Sequence, residues 1–188
     1  VKTVQDLCVR RLPQNLGIDP KNIQVLSPTR KGPTGTYELN CQLQAVLNPP
    51  QETKKEKKYG AFCFREGDRV MQIRNNYDIL WTKEGEPQVG AGIFNGDIGT
   101  IQEISFRDEC MRIAFDDRLA EYSFTLLQDL ELAYAMTVHK SQGSEYQAVI
   151  LSVLQGSKYL LSRNVLYPAL TRARQLLILI GSEEVVAQ

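Results

Sequence analysis

Apolar positions change their period twice along the chain. Near the start, Val4, Leu7 and Cys8 share one helical face, which Thr3 can cap and which Pro13 or Gly17 should end. Ile23 to Leu26 is a short continuous apolar run and reads as a buried strand. Ser27 to Gly35 is a loop by its proline and glycine content. Leu39, Leu43, Val46 and Leu47 then return to helical spacing. Asn48 to Tyr59 is polar and lysine-rich, as a linker would be.

From about Phe62 to Leu127 the pattern predicts short strands: Asp68 to Ile73, Asp97 to Ile104, Met111 to Phe115 and Ala120 to Phe124. A long connection, Arg74 to Gly96, separates the first two; it holds Trp81 and the glycines Gly85, Gly90, Gly92 and Gly96. Strands of this length and spacing favour a small barrel. The pattern becomes α/β again after Leu127. A strand over Leu132 to Met136, another over Ala148 to Val153, a helix ending near Arg174 and a continuous apolar strand from Leu176 to Ile180 follow in turn. Such an unbroken run suits a parallel strand covered on both faces. The first and last pieces therefore read as one α/β domain, 1–61 and 128–188, interrupted by a β insert, 62–127.

Length and composition narrow the class. A chain of 188 residues with 43% hydrophobic residues can build a core for one domain and a small insert. No apolar run approaches the roughly 20 residues of a membrane helix, the polar start has no signal-peptide pattern, and a cytoplasmic location is expected. Cys8, Cys41, Cys63 and Cys110 lie far apart, with no Cys-x-x-Cys pair, and read as buried free thiols. His139 is the single histidine, which disfavours a zinc site. Net charge is zero but unevenly spread: Asp97 to Glu131 carries −6, Leu132 to Ile180 carries +4, and Lys54 to Lys58 adds +3. A nucleic-acid partner would meet the basic segments and avoid the acidic one.

Candidate chemistry gathers late in the chain. In Leu132-Ala-Tyr-Ala-Met-Thr-Val-His-Lys-Ser-Gln-Gly143, followed by Ser144-Glu145, an apolar strand gives way to short polar side chains closed by a glycine. A strand feeding a helix N-terminus in this way would offer N–H groups and hydroxyls to phosphate oxygens. A second marker, Asn164-Val-Leu-Tyr-Pro-Ala-Leu-Thr-Arg-Ala-Arg174, follows. A Gly-x-x-x-x-Gly-Lys-Ser/Thr phosphate loop is absent from the sequence.

Together the two markers resemble motifs V and VI of superfamily 1 helicases, closest to the RecD/TraA group. Ile23 to Gly32 is similar to motif IV, and Gly67 to Gln72 and Ile93 to Thr100 resemble further RecD-like segments in the same order. The resemblance implies an α/β fold: a RecA-like motor lobe (domain 2A, mostly parallel sheet with flanking helices) interrupted by a small SH3-like β-barrel (domain 2B). It implies an ATP-dependent DNA helicase, moving 5′ to 3′, with roles in DNA recombination and repair. ATP and Mg²⁺ would be shared with an N-terminal RecA-like lobe of the parent chain, which supplies the magnesium ligands, so residues 1–188 alone should show no ATPase. Arg172 and Arg30 become candidate γ-phosphate contacts, where a planar guanidinium opposite developing charge accelerates phosphoryl transfer.

Glu145 and Gly143 join them on the nucleotide side, Glu145 near the ribose. Thr137, His139, Lys140, Ser141 and Gln142 are expected to meet single-stranded DNA phosphates. Asn75, Asn76 and Trp81, in the barrel, complete the nucleic-acid set. Plainer readings exist for each: Thr137 and Ser141 as caps, Asn95-Gly96 as a turn pair, Phe94 as barrel core, Arg172 as a paired surface residue. Pro168 departs from the family pattern; with Ser162 as cap it should kink the motif VI helix. RecBCD-type (exodeoxyribonuclease V) subunits are possible partners; no membrane partner is implied. Two other functions fit the same residues: a non-catalytic nucleic-acid or protein-binding module built on the barrel, and an RNA helicase of the same superfamily.

Overall fold

The computed structural model describes residues 1–83, 89–153 and 163–181. The chain divides into two compact units, 1–47 with 134–188 and 48–133. The second unit starts earlier than the linker reading placed it. Glu56–Tyr59 (β2) pairs antiparallel with Phe62–Arg65 (β3), and Asn48 donates to the Asp68 carboxylate at 2.7 Å, so the lysine-rich stretch belongs to the β unit. The unit also ends later, because Leu130–Leu132 (β10) pairs with Arg69–Gln72 (β4).

In the α/β lobe, a helix begins at Lys2–Asp6 (α1), widens to a π turn over Leu7–Arg11 and continues through Leu12–Leu16 (α2). Thr3 lies inside it and does not cap it; no side chain caps this helix start. Pro13 cannot donate to a preceding carbonyl, and the widened turn sits just before it. Ile23–Ser27 (β1) and Thr36–Leu47 (α3) follow. Ala135–Thr137 (β11), Tyr146–Val153 (β12), Arg163–Arg172 (α4) and Ala173–Gly181 (β13) complete the lobe. Its four strands are all parallel, in the order β11-β1-β12-β13. β1 is buried at every position and β12 at all but Gln147, as strands covered on both faces must be. Leu39 and Leu43 of α3 pack with Val25, Ile150 and Ala148 in one core that also takes Val4, Leu7 and Leu12. Each such aliphatic contributes roughly 1.5–3 kcal/mol by leaving water.

The apolar run Leu132 to Met136, expected as one strand, is two half-strands in different sheets. Leu132 pairs with Val70 in the β unit, whereas Ala135 pairs with Val25 in the lobe. β11 is therefore a three-residue edge strand, and α3 completes its exposed edge. The Ala135 N–H donates to Asn40 Oδ1 at 2.7 Å, and Asn40 Nδ2 donates to the Ala135 carbonyl at 2.8 Å. A buried carboxamide thus does what a neighbouring strand would do.

The β unit is a seven-stranded antiparallel sheet in the order β10-β4-β7-β8-β9-β5-β6, with the β2-β3 hairpin beside it. Its members are Asn76–Lys83 (β5), Val89–Ile93 (β6), Ile98–Ser105 (β7), Cys110–Phe115 (β8) and Arg118–Ser123 (β9), besides β4 and β10. The stretch read as a connection, Arg74 to Gly96, contains β5 and β6, which pair antiparallel. Its glycines and exposed apolar residues hide the alternation that marks a strand. The core holds Phe115, Tyr122, Ile101, Ile104 and Met111, and the Tyr122 hydroxyl donates to Gln72 Oε1 at 3.1 Å.

All four cysteines are free. Cys8 and Cys110 are buried, and burial pushes the Cys8 thiol up to about 12. Cys41 and Cys63 are only half-buried.

Candidate functional site

The parallel sheet has two ends, and the predicted residues divide between them. β1 and β11 finish together at Ser27 and Thr137, which pair. The segment after Ser27 folds back at that same end: the Ser27 hydroxyl donates to the Thr34 carbonyl at 2.7 Å, and the N–H groups of Thr36 and Tyr37 donate to the carbonyls of Thr29 and Arg30. The turn is so close that a Cβ on Gly35 would lie 2.6 Å from the Arg30 carbonyl oxygen, so only glycine fits. Arg30, Lys31, Gly32, Tyr37 and Glu38 line an open hollow of about 600 Å³ there.

From Thr137 the chain crosses to the opposite end in a few residues. The turn His139–Ser141 is a single 3-10 turn, not the helix the sequence suggested, so no row of N–H groups stands ready for phosphate. Thr137 Oγ1 accepts the Lys140 N–H at 3.4 Å, which is the capping role. Ser141 corrects the expected nucleic-acid set: it is fully buried, and its hydroxyl donates to the Val138 carbonyl at 2.7 Å. It holds the turn and cannot meet a phosphate. His139 and Gln142 are exposed and Lys140 is half-buried. Gly143 is exposed with φ of 89°, a left-handed backbone.

Ser144 and Glu145 then arrive beside Arg172, at the starts of β12 and β13, where Tyr146 pairs with Ala173. Arg172 Nη1 donates to the Ser144 carbonyl at 3.4 Å, and its Nε is buried with no acceptor among the described residues. A buried N–H left unpaired costs about 1–3 kcal/mol. Glu145 lies just before a strand rather than in a helical turn, and its Oε2 accepts from Arg174 Nε at 2.8 Å. Arg174, which the sequence reading gave no role, is thus the residue that holds Glu145. α4 runs from Arg163 to Arg172 with Pro168 inside it, and the Thr171 hydroxyl donates to the Pro168 carbonyl at 2.9 Å. The expected Ser162 cap lies outside the described residues.

Arg30 and Arg172 are therefore not brought together within the lobe. Ser27 is level with Ser152 and Arg172 precedes the residue level with Tyr146. Tyr146 to Ser152 along β12 spans about 20 Å at ~3.3 Å per residue.

In the β unit the aromatic expectations reverse. Trp81 lies flat across the sheet on Gly90, its cross-strand partner, so closely that a Cβ there would meet the indole ring at 2.2 Å. Lys83 and Arg118 flank the ring, and Nε1 is buried without an acceptor. Trp81 is half-buried, with part of its ring set against the Gly90 backbone. Phe94, expected in the core, is 40% exposed and packs edge-on against Tyr77, itself 68% exposed. Asn75 Oδ1 accepts from the Asn95 N–H at 2.9 Å and Asn76 Oδ1 from the Asp78 N–H at 3.0 Å, so the first ties together the two ends of the segment and the second braces its own turn.

Two family models match these regions. The SH3 domain of ATP-dependent RecD-like DNA helicases covers residues 39–115, and the UvrD-like helicase C-terminal domain covers 132–180. Among curated proteins, the chain is 36% identical to the ATP-dependent RecD2 DNA helicase of Deinococcus radiodurans over 87% of its own length. The chain belongs to the RecD-like helicases. It is also 29% identical to the RecBCD enzyme subunit RecD of Mycobacterium tuberculosis over 85% of its length. It spans only 20% and 25% of those two relatives, respectively. The fold is shared with the Pif1 helicase of Candida albicans, at a TM-score of 0.52 and 17% identity over 99% of this chain and 52% of that one. A Bacteroides Pif1 structure in complex with ADP-AlF3 and ssDNA gives 0.51 and 16% over 97% and 45%. The RecD-like chain thus pairs a RecA-like parallel-sheet lobe with an SH3-like insertion.

Proposed function

We propose that this RecD-like chain is the second motor lobe of an ATP-dependent DNA helicase, with its two sheet ends serving different ligands. The observation that carries this is the group formed by Arg172, Ser144 and Glu145, with an arginine N–H buried and unpartnered. An anion placed against Arg172 would satisfy that N–H, and the Glu145 carboxylate suits ribose hydroxyls; both fit a nucleoside triphosphate. ATP would lie between this end and the RecA-like lobe of the parent chain, with Mg²⁺ held by that other lobe. Arg172 then opposes the charge that spreads over the γ-phosphate oxygens during phosphoryl transfer. The relatives named as DNA helicases, and the Pif1 structure with nucleotide analogue and ssDNA, support this reading.

The opposite end suits single-stranded DNA. Thr137, His139, Lys140 and Gln142 stand there or on the crossing that leaves it, and Arg30 opens with Lys31 into the hollow at the same end. Arg30 moves in this reading from the γ-phosphate to the nucleic acid, because the sheet separates it from Arg172. A role in recombination or repair, alone or with RecBCD-type subunits, follows from the kinds of relatives matched. Residues 1–188 alone would not turn over ATP.

The test uses the full-length helicase. Arg172→Ala should lower kcat by about 10³–10⁵ while leaving single-stranded DNA affinity unchanged. Equal loss of both would remove the assignment. A binding module with no motor is the second reading, favoured by the exposed Tyr77–Phe94 pair; tight, sequence-selective nucleic-acid binding by residues 1–188 would support it.

A further inference from the structure

β13 enters the parallel sheet with one residue more than its neighbour. Ala173 is level with Tyr146 and Leu176 with Ala148, so Arg174 and Gln175 together face the single residue Gln147 of β12. Such a bulge breaks the ladder locally and re-aims a side chain. Both residues of the bulge find partners. Gln175 Oε1 accepts from Gln147 Nε2 at 3.0 Å. Arg174 instead reaches back past Tyr146, and its Nε donates to Glu145 Oε2 at 2.8 Å.

Folding gains little from that contact. The Arg174 and Glu145 side chains are 68% and 52% exposed, and water screens such a pair. What the contact fixes is direction. Glu145 stands just before β12, two residues after the left-handed Gly143, so no regular element orients it. With Oε2 held by Arg174, Oε1 has no partner among the described residues and can accept from a ligand hydroxyl. The preceding carbonyl, that of Ser144, is the one that accepts from Arg172. Arg172 and Arg174, two positions apart, thus hold two adjacent residues, one by its backbone and one by its carboxylate.

We infer that Arg174 is a positioning residue for the nucleotide sugar: it aims the Glu145 carboxylate at a ribose hydroxyl and so sets the preference for a complete ribose over a deoxygenated one. The inference rests on the reading of Arg172, Ser144 and Glu145 as the nucleotide end. Its test is steady-state ATPase of the full-length helicase at saturating single-stranded DNA, with ATP, 2′-deoxy-ATP and 3′-deoxy-ATP. The unaltered enzyme should favour ATP over at least one analogue in kcat/KM. Arg174→Gln should raise KM for ATP about tenfold, the low end for a hydrogen bond to a charged group. It should leave kcat within about twofold and shrink the preference for ATP. Arg174→Lys keeps a charged donor and should restore part of that preference. Glu145→Gln should abolish it, and adding Arg174→Gln should then change nothing further, because the group to be positioned is gone. Both positions are exposed, and thermal melting checks that the variants fold. A kcat loss in Arg174→Gln on the scale of Arg172→Ala would move Arg174 to the phosphates and overturn the role. Additive effects in the double variant would overturn it too. An enzyme indifferent to the sugar, or an unchanged preference in Glu145→Gln, would sink the ribose reading and the inference with it. An effect of Glu145→Gln with none from Arg174→Gln would sink the inference alone.

Discussion

In the α/β lobe, β12 is buried almost end to end, whereas in the β unit β5 alternates and leaves Tyr77, Leu80 and Thr82 exposed while Ile79 is covered. A parallel strand with both faces packed can present chemistry only where it starts or stops. The polar candidates in the lobe accordingly lie at the two sheet ends or on the crossing between them: Arg30 and Thr137 at one end, Ser144, Glu145 and Arg172 at the other. The antiparallel sheet has faces to spare, and it exposes the Tyr77–Phe94 pair there. In the proposed reading the lobe would hold its two ligands about a strand's length apart.

The sharpest way to break the distinction between the sheet ends is to exchange the two arginines' phenotypes. In the full-length helicase, Arg172→Lys should lose most of the kcat that alanine loses, since an ammonium lacks the fork that fits phosphate oxygens. Arg30→Ala should instead spare kcat at saturating DNA and make the salt slope of DNA binding less negative by about 0.7. A shared kcat defect would put both arginines on one phosphate and refute the division.

Asn40→Ala tests how the nucleic-acid end is held. It strips both partners from the buried Ala135 peptide groups, at about 1–3 kcal/mol each. Denaturant unfolding should show the lobe weakened by roughly 2–6 kcal/mol, with faster amide exchange at Met136 and Thr137. Unaltered exchange there would mean that β1 alone secures the edge strand.

A smaller effect is expected in the β unit from Gly90→Ala. The new methyl would occupy space taken by the indole, 2.2 Å away, and displacing the ring should cost about 1–3 kcal/mol. Trp81 is the single tryptophan, so its emission should shift to the red; an unshifted spectrum would show that the strand, not the ring, gives way.

The smallest effect is in pH. The Arg65 guanidinium holds the Glu56 carboxyl below its ordinary 4.5. A lowered folded-state value stabilises the β unit above about pH 4.5 and is lost as pH falls through that lowered value. The pair is partly exposed, so it contributes under about 1 kcal/mol. Glu56→Gln should flatten the acid limb of a stability–pH curve, and an identical limb would show the pair to be inert.

Local pattern was enough for much of this protein. β1, α3, β12 and strands β4 and β7 to β9 are legible because burial imposes a period on neighbouring residues, and the Thr171-Arg-Ala and His139-Lys-Ser-Gln runs carry the family resemblance in the residues themselves. The β5-β6 pair was not legible, because glycines and exposed apolar side chains erase the alternation. Nor could any local signal divide Leu132 to Met136 between two sheets, set Trp81 against Gly90 and Phe94 outward, or hand the edge of β11 to Asn40. The separation of Arg30 from Arg172 comes from the strand order β11-β1-β12-β13. Both pairings of β1 in that order join residues more than a hundred positions apart, which periodicity cannot report and only the folded sheet decides.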